Sequence, residues 1–393
     1  MIRRLSVVAL AWLGVIGAVD SGPLHAQVAV QRLTEPDASY PEALSLVQGL
    51  LELPDGRVMI ADPLGQALVI ADLASGVADT LGSVGQGPSE YRQPDGVFAL
   101  PGDSVLLVDL GNARLTVVAP DGRFGATMPI AQEGPGPGPG LLIVLPRAVD
   151  SRGRVYFQPV GGGRGLQLPD SAAVVRWDRS SGAMDTVAMV KLPEMKQSRS
   201  GGPGNQAVTI MPVPLSPQDA WAVSWDGRVA VARADPYHVE WIHVDGKVVR
   251  SGPIAFEPVR IRRADKLEWA EALGGGIRIG IMVENGQRRM ALSRGGGRGE
   301  EPDIDSLDWP DNKPAFADNG VRVTPEGDMW VQRHVPAGEP IDFDVFGANA
   351  ELKGKVVLPA GRDIVGFGRG TVYVVRTDDL GLQWLERYRR PAS

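Results

Sequence analysis

The polar residues that could do chemistry stand at the ends of apolar, strand-like segments. Six such segments follow turns rich in Gly and Asp. The positions that end them are, in chain order, Asp62, Asp109, Pro159, Arg233, Arg333 and Arg376. Arginine presents a planar fork of N–H donors that suits a carboxylate, sulfate or phosphate group. If the segments end at one face of the fold, the sequence predicts a polarised ligand-binding rim formed by Asp62, Asp109, Arg233, Arg333 and Arg376.

Two other roles for the same residues remain open. Asp62 and Asp109 could cap turns while the arginines pair with carboxylates such as Asp235, Asp342 or Asp378, since charge pairs on loops are common and mostly solvated. The two aspartates could instead serve as oxygen ligands, a donor type that suits Ca²⁺ better than Zn²⁺. No other cofactor is indicated.

Motifs for other chemistries are weak. Zinc sites use three or four Cys, His or carboxylate ligands, but the chain after residue 26 has no cysteine and only His238, His243 and His334. His238 and His243 are five residues apart in a strand-like segment, so their side chains point to opposite faces. No Gly-x-Ser-x-Gly elbow is present, and "GQGPSE" lacks the Lys-Ser/Thr of a P-loop. The Gly-rich runs at 161–165 and 295–301 are interpreted as loops.

The first 26 residues have the three parts of a cleaved export signal. Arg3 and Arg4 precede the apolar run Leu5–Val19, which is shorter than the roughly 20 residues that cross a bilayer. Ala26 then provides a small residue at the cleavage point. We therefore predict a signal peptide at 1–26, one domain at 27–393 and a secreted or periplasmic location. Because the chain has no cysteine, neither a lipid anchor nor a disulfide framework is available to it.

The charge of the chain argues against two classes of partner. There are 47 acidic and 40 basic side chains, a net charge of −7, and removal of residues 1–26 makes the chain more negative. Nucleic acid and anionic membrane surfaces are therefore disfavoured. We expect a monomer that binds a small anionic ligand, a peptide or a protein.

A repeat of turn and strand signals predicts the fold. "LPDGRVMIAD" (53–62) and "LPGDSVLLVD" (100–109) show the pattern, a Gly/Asp turn that enters a β-branched run. A second hairpin follows, as in "RLTVVAPDGRFGATMPI" (114–130). Four strands that recur about every 45 residues are typical of a propeller blade. The six units predict an all-β, six-bladed β-propeller of four-stranded antiparallel blades.

One insertion leaves seven blades as an alternative. Between about 255 and 316, "RRADKLEWAEAL" has apolar residues at helical spacing and predicts a short helix. Asn285–Gly286 is a hairpin turn signal in the same insertion. One hairpin falls short of a four-stranded blade, so six blades are favoured.

The two ends of the chain predict how the ring closes. The last unit stops one strand short of four, and Gln27–Leu33 ("QVAVQRL") is a strand-like segment without a hairpin partner. Pairing the two would remove open sheet edges. We therefore expect this N-terminal strand to complete the last blade.

The first two units resemble the NHL-repeat family of six-bladed propellers. "GSVGQGPSEYRQPDGV" and "VDLGNARLTVV" carry the resemblance, at Gly85, Gly87, Pro88, Glu90, Tyr91, Pro94, Gly96, Asp109, Asn112 and Arg114. The later units resemble the family by blade architecture only. The resemblance implies a secreted or receptor-attached binding scaffold in some members, and in others an enzyme such as a metal-dependent lactonase or a peptide-amidating lyase.

The matched motif is expected to join the first blade to the second. Gly85 and Gly87 would permit the chain to cross, and Pro88 and Pro94 would stiffen it. Tyr91 would wedge between two sheets, while Glu90 would cap backbone N–H groups.

Long connections predict where a ligand would bind. The segments 131–146, 194–214 and 255–316 all join one unit to the next and would crowd the same mouth of the channel; connections of this length are mostly functional or disordered. The sequence thus favours an exported binding or interaction module for a peptide, glycan fragment or other anion at that mouth. A metal-dependent hydrolase or lyase of the propeller type and a structural envelope protein are the alternatives.

Overall fold

The computed structural model of the protein describes residues 29–133, 141–159, 169–200, 207–273, 277–284, 287–294 and 303–390. The predicted export signal at 1–26, the Gly-rich runs at 161–165 and 295–301 and the Asn285–Gly286 turn lie outside these residues. Within them, no helix has the length and apolar character needed to cross a membrane.

The first half of the chain forms two N-terminal strands and three blades. β1 (Val30–Arg32) and β2 (Ala38–Ser39) precede the first blade, which contains β3 (Gly49–Glu52), β4 (Val58–Asp62), β5 (Ala67–Asp72) and β6 (Val77–Thr80). A short parallel pair, β7 (Ser83–Val84) and β8 (Glu90–Tyr91), leads to the second blade, β9 (Pro94–Ala99), β10 (Val105–Asp109), β11 (Arg114–Val118) and β12 (Phe124–Pro129). The hairpin of β13 (Ala131–Glu133) and β14 (Leu141–Ile143) leads to the third, β15 (Ala148–Val149), β16 (Val155–Phe157), β17 (Ser171–Trp177) and β18 (Met184–Lys191).

The second half forms three more blades and an insertion. The hairpin of β19 (Met195–Ser200) and β20 (Ala207–Pro212) precedes the fourth blade, β21 (Ala220–Val223), β22 (Val229–Ala234), β23 (Tyr237–Ile242) and β24 (Val248–Arg250). The insertion contains β25 (Val259–Arg260), α1 (Arg263–Leu273), β26 (Ile277–Glu284), β27 (Gln287–Arg294) and β28 (Asn312–Lys313). The fifth blade contains β29 (Phe316–Val323), β30 (Met329–Arg333), β31 (Asp342–Phe346) and β32 (Leu352–Val357), and the sixth contains β33 (Arg362–Gly368), β34 (Thr371–Thr377) and β35 (Gln383–Arg389).

In the first two blades, the second strand is the most buried part. β4 and β10 are buried at every position, because other strands flank them and neighbouring blades cover both faces. The turns that enter second strands need left-handed backbone, which Gly56, Gly227 and Gly327 supply with φ of 88°, 88° and 89°. The repeated Gly/Asp turns of the sequence are thus the turns between first and second strands.

Six hydrophobic clusters fill the interfaces between neighbouring blades of the described chain. One of them joins Val58 and Ile60 of the first blade to Tyr373 and Leu385 of the sixth, so the ring is closed. The six-bladed prediction is therefore confirmed. The insertion adds the predicted helix as α1, the hairpin β26–β27 and the short pair β25–β28 rather than a seventh blade.

Closure of the last blade by the N-terminal region is confirmed, but with other residues than predicted. β2 pairs with β35, with Ala38 opposite Arg387. β1, which lies within the predicted segment Gln27–Leu33, instead pairs in parallel with β32 of the fifth blade. Pro36 lies between the two strands, and proline cannot donate a ladder hydrogen bond. The N-terminal segment is therefore split, and it covers the edges of two blades instead of one.

Candidate functional site

The first strands of the six blades surround a central channel of about 1570 Å³. Where blades six, one and two meet, glycines let these strands approach. A Cβ on Gly49 would lie 2.9 Å from the Val97 nitrogen, and a Cβ on Gly366 would lie 2.8 Å from a methyl of Leu50. The wall formed by blades three, four and five instead carries the long side chains of Arg147, Trp221 and Arg322.

Arg147 lies at the mouth of the channel where the long connections arrive. It belongs to the connection between β14 and β15 and directly precedes the first strand of blade three. Its guanidinium lies over the ring of Trp221, 4.4 Å from the ring centre, and Nη2 donates to Oδ1 of Asn319 at 2.9 Å. Trp221 is itself buried and donates from Nε1 to Gln158 at 3.3 Å. Arg147 is therefore held in place by an aromatic face and an amide.

Arg322 approaches the same point from blade five. Its Nη1 donates to the backbone oxygen of Asn319 at 2.9 Å, so the side chain turns back along its own strand towards the mouth at which Arg147 lies. The two oxygens of one residue, Asn319, thus anchor two guanidinium groups from different blades.

The backbone around Asn319 makes this arrangement possible. β29 pairs regularly with β30 from Val321 onwards, but its register shifts between Phe316 and Val321. Asn319 has a φ of 54°, a left-handed conformation in which Asn is more common than most residues. A Cβ on Gly320 would lie 2.6 Å from the Ala317 oxygen. The Asn-Gly pair therefore forms a bulge in a channel-lining strand, a feature that often re-aims groups at functional sites.

The charges of the two arginines are poorly compensated by protein. Arg147 is reached by solvent through the channel, but protein walls surround it; burial, and then the charge of Arg322, lower its pKa to about 10. Burial also lowers the pKa of Arg322, and Asp363 on β33 opposes that shift. No carboxylate of the described chain lies within salt-bridge distance of either guanidinium. Two cations held together in this way form a site that an anion would stabilise.

The five predicted rim residues lie at or next to the ends of the second strands of their blades, and protein groups already contact each of them. Asp62 and Asp109 are buried. Oδ1 of Asp62 accepts N–H bonds from Leu46 and Gly65, and Oδ2 accepts one from Ser45. Asp109 accepts from the backbone of Arg92 and Gln93 and, at 2.7 Å, from the side chain of Asn112.

These contacts also bear on the Ca²⁺ alternative. Every carboxylate oxygen of Asp62 and Asp109 already accepts at least one N–H group, and a role of the pair in Ca²⁺ binding stays a prediction. Within the described ranges, no group of three or more His, Cys, Asp or Glu residues could hold a metal ion.

The three predicted rim arginines have partners within or next to their own blades. Arg233 binds Asp219 at 2.9 Å and Glu240 at 2.8 Å. Arg333 lies 3.3 Å from Asp344 and over the ring of Tyr237. Arg376 lies 3.8 Å from Glu386 and over Trp384. A role of these residues in ligand binding stays a prediction.

The motif at 85–114 lies at the junction of blades one and two. Tyr91 is buried in the cluster between these blades, and its hydroxyl accepts the Leu68 N–H at 3.0 Å. Glu90 accepts the Gly87 N–H at 2.6 Å, and a Cβ on Gly85 would collide with the Glu90 carboxylate.

Asn112 donates to the Gly85 oxygen, and Arg114 to the Glu90 oxygen. Pro94 and Gly96 begin the buried strand β9, and Pro88 lies exposed in the connection.

The three histidines lie apart from the channel wall. His238 contacts the Pro236 oxygen and Glu240, and His243 follows β23 on the same blade. His334 directly follows β30, and its Nδ1 lies 3.0 Å from the Pro314 oxygen. Burial lowers the pKa of His334 to about 4.

Sequence reasoning missed Arg147, Asn319, Arg322 and Asp363. A usable signal was "ADNGVRV" (317–323), in which Asn-Gly interrupts a strand-like run and Arg follows three residues after Asn. Glycine inside a strand pattern indicates a bulge or a close backbone approach. No signal in the sequence identifies Arg147 as the partner of this segment.

No protein-family model matches the chain, and no curated protein sequence does either. Similar solved structures include a gluconolactonase of Xanthomonas campestris, with 11% identity and a TM-score of 0.41 over 91% of this chain and 94% of that one. Regucalcin, a calcium-binding protein of Agrobacterium tumefaciens, has 12% identity and a TM-score of 0.42 over 93% and 98% of the two chains. Virginiamycin B lyase of Staphylococcus aureus has 11% identity and a TM-score of 0.36 over 88% and 97%.

At these identities and TM-scores, the similarities carry no argument about function. The strand pairing described above confirms the six-bladed architecture that the NHL resemblance implied. Membership of that family stays a resemblance.

Proposed function

We propose that the protein is an exported binding module that holds the anionic group of a small ligand between Arg147 and Arg322, at the channel mouth on the connection-rich face. One observation carries the proposal. Asn319 anchors both guanidinium groups through its two oxygens, and neither guanidinium has a carboxylate at salt-bridge distance among the described residues. Export rests on the signal pattern at 1–26.

The shape of the site supports an organic anion rather than a lone ion. The channel volume of about 1570 Å³ exceeds the roughly 300 to 1,000 Å³ of a typical ligand pocket. Arg147 keeps Nε and Nη1 free of acceptors in the described part of the chain, so these charged N–H donors remain available to a carboxylate or phosphate. Trp221 fixes the guanidinium plane before any ligand arrives, which reduces the entropy lost on binding.

The test measures anion binding to purified protein by calorimetry and by melting temperature. The panel contains acetate, malonate, citrate, phosphate and glucuronate. We expect at least one organic anion to bind, and Arg147→Gln or Arg322→Gln to weaken that binding. A charged hydrogen bond contributes about 1.5 to 3 kcal/mol, so the expected loss of affinity is about 10- to 100-fold.

Arg123→Gln provides the matched control, since the Arg123 side chain is 85% exposed in a turn of blade two. This variant should bind as the unmodified protein does. Binding that survives both channel substitutions unchanged would contradict the proposal.

The same experiment separates the two alternatives of the sequence analysis. Ca²⁺ or Zn²⁺ present at 100 times its Kd would add about 2.7 kcal/mol to the stability of a metal enzyme, and a chelator would remove that gain. A structural envelope protein would respond neither to metals nor to the anion panel.

A further inference from the structure

A third charged group, Asp363, faces the channel from blade six. It is the second residue of β33, opposite Val375 of β34. The preceding residue, Arg362, pairs with Glu386 inside the blade, and successive residues of a strand point to opposite sides. Asp363 therefore turns its carboxylate away from the blade's own ion pair and towards the channel.

Asp363 differs from the other acidic residues of the channel wall, which are Glu52, Asp95 and Asp103. Glu52 accepts hydrogen bonds from Tyr373, Thr371 and the Arg369 backbone. Asp95 is buried and has a partner. Asp103 lies in the turn after β9, at the opposite mouth.

The Asp363 carboxylate accepts no hydrogen bond and makes no salt bridge within the described residues. Burial raises its pKa, and the more distant charge of Arg322 opposes that shift. The side chain is exposed to the channel, so its ionised carboxylate faces solvent, with no protein cation of the described chain at ion-pair distance.

The order of charges around the mouth is therefore Arg147 before blade three, Arg322 on blade five and Asp363 on blade six. A ligand whose anionic group lies between the two arginines would extend towards Asp363 on one side. A positively charged group at that end would meet an unpaired carboxylate. A second negative group at the same end would be repelled.

We propose that Asp363 gives the channel a preference for small zwitterions of the amino-acid class, with the carboxylate of the ligand at Arg147 and Arg322 and its ammonium group at Asp363. This inference rests on the proposed function, because it places the anionic group at the same two arginines. It adds the specificity-determining residue and the substrate class.

The test compares ligands that differ only by an ammonium group. The probes are glycine, β-alanine, 4-aminobutyrate and 5-aminovalerate, each matched with the unsubstituted acid: acetate, propionate, butyrate or valerate. We expect the unmodified protein to bind at least one amino acid about tenfold more tightly than its matched acid, since a hydrogen-bonded charge pair contributes on this scale. Asp363→Asn, which keeps the side-chain shape, should reduce that ratio to about one and should strengthen binding of the dicarboxylate glutarate.

Asp379→Asn is the control, because Asp379 is an exposed aspartate in the turn after β34 of the same blade. The Asp379→Asn protein should keep the preference for amino acids over their matched acids. A preference that persists in Asp363→Asn, or that is missing at every chain length, would overturn the inference while the anion site stands. If only members of the first anion panel bind, the inference fails and the anion site stands; if neither these probes nor that panel binds the unmodified protein, both proposals fail.

Discussion

The arginines of the rim and those of the channel have the same chemistry but different surroundings. Arg233, on the rim, binds two nearly buried carboxylates, Asp219 and Glu240. Arg147 and Arg322, in the channel, bind the neutral oxygens of Asn319. A guanidinium with a full set of carboxylate partners stabilises the fold, whereas one held by neutral groups keeps its charge available for a ligand. The rim and the channel therefore differ in the groups that bind their arginines, which are carboxylates at Arg233 and neutral oxygens in the channel.

The largest expected effect is on the rim. Arg233→Gln leaves Asp219 and Glu240 without their shared counter-ion, and breaking a buried pair in this way costs about 3 to 5 kcal/mol. We expect the free energy of unfolding, measured by urea denaturation, to fall by about 4 kcal/mol and anion affinity to stay unchanged. Arg123→Gln is again the control and should change stability by less than about 0.5 kcal/mol. A stable Arg233→Gln protein that has lost anion binding would restore the rim as the binding site.

A smaller effect concerns His334, the neighbour of the rim residue Arg333. Its pKa is about 4 in the folded protein and about 6.5 in the unfolded chain. Between these values the unfolded chain binds more protons, so stability is complete above pH 6.5 and falls as the pH drops towards 4.

We expect this linkage to remove about 2 to 3 kcal/mol of unfolding free energy between pH 7 and pH 4. His334→Gln, which keeps an N–H donor for the Pro314 oxygen, should lower this pH dependence by the same amount. An identical pH profile in both proteins would show that His334 titrates normally in the folded state.

The smallest expected effect is on the stability of the channel variant. Arg147→Gln loses the contact with Trp221 but also removes a charge that burial and Arg322 disfavour. These terms oppose each other, so we expect the free energy of unfolding to change by less than about 1 kcal/mol. The difference in stability change between Arg147→Gln and Arg233→Gln tests most directly whether channel and rim arginines have different roles. If Arg147→Gln lowers the free energy of unfolding as much as Arg233→Gln does, the channel arginines are structural.

Most of the fold could be predicted because its signals are local. A turn such as that at Gly56 needs left-handed backbone within a few residues of a strand, and the alternation of turn and strand recurs along the chain. The residues that close the last blade were harder to predict from the sequence. Gln27–Leu33 and Ala38–Ser39 are both short and near the N-terminus, and only the geometry of the ring decides which of them reaches β35.

The site was predicted less well than the fold. Residue type and strand position identified Arg233, Arg333 and Arg376 as cations at strand ends, and the structure supplies each with a carboxylate. The channel arginines, in contrast, do not stand at a position that recurs from one repeat unit to the next. Arg147 ends a long connection, and Arg322 follows a bulge that only "NG" within a strand run indicates.

The sequence by itself determined the blade number, the turns between strands and the helix of the insertion, because these depend on periodicity, glycine and chain stiffness over a few residues. Only the tertiary structure decided which charges are paired and which face the channel. Arg147 and Asn319 are 172 positions apart, and the energy of a charge depends on the groups within a few ångströms of it, whatever their distance along the chain.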